Sequence, residues 1–135
     1  MEVIREAAQD TARLADAMAV RIFLKSLEIL GGPRKLFEYR NLTWLPTLME
    51  AAYVVTLVRE HGKTMQEAAR ELGLSSQTVR NILNADAGEV RKRIEEQGEE
   101  LARETHTHVA GGLAKLAHEQ IRKGDARIGF LEALE

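Results

Sequence analysis

The stretch KTMQEAARELGLSSQTVRNIL, Lys63 to Leu83, decides how the chain is read. Thr64 followed by Glu67 has the spacing of a capping box, in which each side chain bonds the other's unpaired backbone N–H. A helix is therefore predicted to begin at Met65. Ala68, Ala69 and Leu72 point one way from it. Gly73 ends it in a left-handed turn that a β-carbon would oppose. Leu74 packs inward from that turn, and Ser75 caps a second helix whose buried side is Val79, Ile82 and Leu83. Two short helices about one glycine turn form a helix-turn-helix. Small Ala69 lets the second helix cross close over the first.

Working outward, the preceding stretch TWLPTLMEAAYVVTLVREHG predicts a third helix, Trp44 to His61. Thr43 is its cap, Pro46 is tolerated in its first turn, and Gly62 ends it. Upstream, Ile4, Ala7, Ala8, Thr11, Leu14, Ala15, Met18 and Ile22 fall at helical spacing, predicting a helix from Glu2 to Leu30 that GGP, Gly31 to Pro33, stops. Its apolar surface widens after Met18, so the second half should lie deeper than the first. RKLFEYRN reads as a helical turn or two anchored by Leu36, Phe37 and Tyr39. Downstream, NADAGEV reads as a break. Val90, Ile94, Leu101, Thr105, Val109, Leu113, Leu116, Ala117 and Ile121 then track one face, as one long helix or as two with a break near Thr105–Gly112, because glycine weakens a helix. ARIGFLEALE closes the chain as a short amphipathic piece.

No alternating β-branched run is present, so the fold class is all-α: a helix-turn-helix core, residues 43–85, between an N-terminal helical arm, 1–42, and a C-terminal helical region, 86–135, within one domain. The chain has 135 residues, 44% hydrophobic and 30% charged, with only 4% aromatic, which calls for an aliphatic core. It has no cysteine, which excludes disulfides, thiolate metal sites and a cysteine nucleophile. No apolar run reaches the roughly 18 residues of a membrane helix, and EVIREAAQD after Met1 does not resemble a signal peptide. A cytoplasmic protein is expected. Few asparagines and high charge suggest a thermophilic source. Net charge is −2, but residues 54–93 carry seven positive and five negative groups while the C-terminal third is acidic. His106 and His108 fall on nearly opposite sides of a helix, so no shared metal is expected. The Glu95–Glu96 and Glu99–Glu100 pairs interleave with Arg91, Lys92, Arg93 and Arg103 as solvated helix decoration. No nucleophile–base cluster or phosphate loop is visible, so neither enzymatic activity nor a cofactor is expected.

MQEAARELGLSSQTVRNIL, through Ala69, Gly73, Leu74, Val79 and Ile82, resembles the helix-turn-helix of bacterial and archaeal transcription regulators, including the tri-helical unit of sigma-factor region 4. The resemblance covers about forty residues, 44–84, and the rest of the chain does not look like a sigma factor. In general layout the chain is also similar to small regulatory proteins of archaea and thermophiles encoded beside KaiC-like ATPases. The resemblance implies binding of double-stranded DNA, with the second helix in the major groove. Its outward residues are then Ser76, Gln77, Arg80, Asn81 and Asn84, with Ser75 at the helix start. Lys63, Arg70, Arg91, Lys92 and Arg93 are candidate phosphate contacts.

A homodimer is expected because paired half-sites require a two-fold protein. VAGGLAKLA, in the C-terminal region, offers small residues for another helix to approach. Ile128, Phe130, Leu131 and Leu134 are candidates for docking a separate protein. The alternative function is a protein–protein adaptor built on the same core, with an ATPase partner. Such a surface favours large apolar anchors, and the outward face of the second helix has none. RNA binding lacks exposed aromatics for base stacking.

Overall fold

The computed structural model describes residues 2–35, 45–97 and 106–132. Among these, every regular element is helical. α1 is Glu2–Leu30 and α2 is Leu45–Val55, which runs on into a π-helical turn, Thr56–Glu60. α3 is Met65–Leu72, α4 Ser76–Asn84, α5 Ala87–Gln97, α6 His106–Arg122 and α7 Gly129–Glu132. Of the expected turn at RKLFEYRN only Arg34 and Lys35 are described, with Lys35 N donating to Gly32 O at 3.1 Å; its anchors Leu36, Phe37 and Tyr39, the cap at Thr43, Trp44, the stripe positions Leu101 and Thr105, and Leu134 lie outside the described residues.

The predicted stops and starts act locally. Gly31 and Gly32 have φ of 115° and 100°, and their N–H groups bond back to Glu28 O and Leu27 O, closing the end of α1. The capping box is complete: Thr64 Oγ1 accepts from Glu67 N at 3.1 Å, and Glu67 Oε1 accepts from Thr64 N at 3.2 Å. Gly73 is left-handed at φ 68°, and Leu74 N donates to Ala69 O at 2.9 Å. Ser75 Oγ accepts from Thr78 N at 3.1 Å. α3, the Gly73 turn and α4 are thus the predicted helix-turn-helix.

The break after Leu83 is shorter than expected. Only Ala85 and Asp86 separate α4 from α5, because Asp86 Oδ1 caps the new helix by accepting from Glu89 N at 2.8 Å. The π turn was not predicted at all. Buried Thr56 bonds its hydroxyl back to Ala52 O at 2.8 Å, and His61 N reaches five residues back to Thr56 O, so one extra residue enters the turn.

α6 runs unbroken from His106 through Gly111 and Gly112, so the glycines do not break it; residues 98–105, which precede it, lie outside the described residues. It is also the centre of the fold, packed on α1, α2, α4 and α5, with Val109, Ala110, Leu113, Ala114, Leu116 and Ala117 all buried. The glycines are the reason it fits. A β-carbon at Gly111 would lie 2.7 Å from Ile82 O and 2.8 Å from Ile82 Cα. One at Gly112 would lie 2.3 Å from Val90 Cγ2. The close helix approach read from VAGGLAKLA therefore occurs within the chain, against α4 and α5.

The core is aliphatic: Ile22, Leu48, Val54, Val55, Val79, Ile82, Val90, Val109 and Leu113, each contributing roughly 1.5–3 kcal/mol by burial. A smaller cluster of Ala15, Leu57 and Ala68 joins α1 to the helix-turn-helix. Upstream of Ala15, α1 leaves the body; Leu14 is 66% exposed and Val3 78%.

Candidate nucleic-acid interface

α4 is held from behind. Val79 and Ile82 are fully buried, and the helix packs on α2, α3 and α6. At its C-terminal end the last carbonyls have no intrahelical partners. Lys115 of α6 supplies them: its Nζ donates to Leu83 O at 2.7 Å and to Ala85 O at 2.6 Å. Burial pushes the Lys115 ammonium below its ordinary value, and Arg59 nearby pushes the same way. Two charge-assisted bonds offset that cost. Lys115 is a residue that sequence reading missed, because its partners lie about thirty residues upstream.

In front, α4 presents Ser76, Gln77, Arg80, Asn81 and Asn84, all exposed. Gln77 Nε2 donates to Asn81 Oδ1 at 2.8 Å. That bond leaves the Gln77 carbonyl oxygen and the Asn81 amide hydrogens for other partners. Ser75 is exposed too, but its hydroxyl already accepts from Thr78 N and lies 2.8 Å from Thr78 Oγ1. It serves as a helix cap.

The predicted phosphate contacts do not all gather around this face. Arg70 is exposed on α3. Lys63 is bound to Glu71 at 3.0 Å, so much of its charge is already met. Arg91 lines a different pocket, with Lys25, Glu28, Gln120, Asp125 and Arg127. Lys92 is exposed on α5, and the side chain of Arg93 lies outside the described residues. Glu67, inside the capping box, has its carboxyl held below the ordinary value by the Thr64 backbone N–H and then by its hydroxyl.

Two further polar clusters anchor the scaffold. Lys25 is only 4% exposed, and its Nζ reaches Arg127 O at 2.6 Å, Asp125 at 3.2 Å and Glu28 at 3.4 Å. Glu28 also accepts from Gly129 N, so the C-terminal piece is tied to α1. Of the residues read as a docking face there, Leu131 is exposed while Ile128 and Phe130 are half-buried. On the other side, His118 of α6 is 5% exposed and its Nε2 donates to Glu60 Oε1 at 2.7 Å, while its buried Nδ1 has no partner among the described residues. The π turn delivers Glu60 to this bond. Arg122 approaches the same carboxylate at 3.5 Å.

Among the described residues, no three histidine, cysteine or acidic side chains gather as a metal site. No described helix is long and apolar enough to cross a membrane. Comparison with protein-family models, with curated proteins and with solved structures finds no match to this chain.

Proposed function

We propose that the chain is a DNA-binding transcription regulator that reads the major groove with α4. The observation that carries this reading is the division of α4 into two faces. Val79 and Ile82 are locked in the core, while Ser76, Gln77, Arg80, Asn81 and Asn84 stand exposed on a helix with no acidic residue. Arginine bonds guanine O6 and N7 with two parallel donors, and Asn or Gln pairs with adenine N6 and N7. The Gln77–Asn81 bond presets one acceptor and a pair of donors for such an edge. A major groove about 12 Å wide admits one helix, and α4 is fixed at both ends, by Ser75 and by Lys115. A second copy of the chain completes the reading, since paired half-sites require a two-fold protein.

The test is anisotropy of a labelled duplex across a salt series, with wild type beside Arg80→Ala. Wild type should bind with an affinity that falls as salt rises, and Arg80→Ala should lose about 1–3 kcal/mol at the preferred site. Absence of salt-dependent binding at low ionic strength would sink the proposal. The adaptor reading, with a protein partner such as an ATPase, would then take its place.

A further inference from the structure

Asn81 and Asn84 do not end the polar surface. Together with Thr107 and His108, in the first turn of α6, they line a notch of about 190 Å³. Pockets for cofactor-sized molecules run from roughly 300 to 1,000 Å³, so this notch suits a smaller group. Every side chain lining it can donate a hydrogen bond: two amides, a hydroxyl and an imidazole. None of them carries negative charge. Among the described residues, Glu89 of α5 faces His108, with its Oε2 3.8 Å from Nε2, while the α4 residues lining the notch are uncharged.

We infer that the DNA surface continues from α4 onto the start of α6, where Thr107 and His108 hold a backbone phosphate beside the bases met by Asn81 and Asn84. This inference rests on the DNA reading of α4. A small notch lined by donors and opening beside a groove-reading helix matches a phosphodiester oxygen better than a base edge, which offers donors as well as acceptors. It also addresses the chain's shortage of positive charge. The net charge is −2, Lys63 is tied to Glu71, and Arg91 lines a separate pocket. Neutral donors and an imidazole supply what fixed cations do not. His108 meets Glu89 on one side and the phosphate on the other.

The test uses the full chain and a labelled mixed-sequence duplex across a salt series. Wild type is compared with His108→Gln, Thr107→Val and Arg80→Ala. His108 and Thr107 are only half-buried, so their replacement leaves the core intact. His108→Gln should weaken binding about three- to tenfold. Thr107→Val should weaken it by a similar factor. If both variants bind like wild type while Arg80→Ala loses affinity, the surface ends at α4 and this inference fails alone. If wild type binds no duplex, the inference and the DNA reading fail together.

Discussion

α1 and α6 are the two long helices flanking the helix-turn-helix, and both carry small and apolar residues at helical spacing. Their fates are opposite. α6 lies at the centre of the molecule and is buried over most of its circumference from Val109 to His118. The first half of α1 stands in solvent, exposed at every described side chain from Val3 to Leu14. Periodicity alone does not separate them. What separates them is how closely neighbours can approach. Gly111 and Gly112 admit the backbone of Ile82 and the side chain of Val90 to distances a β-carbon would forbid. Ala7 and Ala8 stand exposed and face no such neighbours among the described residues. A pair of glycines in a helix costs propensity, roughly 1 kcal/mol each, and here the packing they permit outweighs that cost.

The same truncation on the two helices sharpens the contrast. Leu113→Ala should have the largest effect, a loss of about 2–5 kcal/mol read from the urea midpoint, because Leu113 is fully buried and the cavity would lie among four helices. Gly111→Ala should come next. Alanine is the better helix former, but its β-carbon would strike the Ile82 backbone, and a net loss of about 1–3 kcal/mol is expected in the same measurement. A gain would break the comparison, because it would mean that α6 is not pressed against α4. Smallest should be Leu14→Ala, within about 0.5 kcal/mol in dilute solution. A larger loss that grows with protein concentration would show that a second copy covers this face, and the two helices would then be alike in the assembly.

Much of the fold was legible because its signals are local. The Thr64–Glu67 box, left-handed Gly73, the Ser75 cap and the glycines after Leu30 each act within a few residues, and each appears where the spacing placed it. Asp86 was equally local. Its carboxylate stands three residues before the N–H it caps, and reading NADAGEV only as a break overlooked it. The exposed face of α4 followed from the same periodicity that assigned its buried face. The rest depends on partners far along the chain. Lys115 meets carbonyls about thirty residues away, and His118 meets Glu60 across 58 positions. No periodicity encodes such pairs. Nor did the sequence reveal that Arg91 lines a pocket with Glu28 and Asp125, because a run of basic residues does not say which side of the fold each will occupy.

The bonds from Lys115 to the end of α4 also bear on modularity. A helix-turn-helix is often regarded as a portable cassette. Here residues 45–85 are not self-sufficient, since the last carbonyls of α4 are satisfied, and the backbone of Ile82 is covered, by a helix that begins at His106. Excised alone, the segment would leave polar groups and an apolar flank bare at the end of the helix whose orientation matters most. Grafting α4 into another scaffold would therefore require transplanting the face of α6 that carries Gly111 and Lys115.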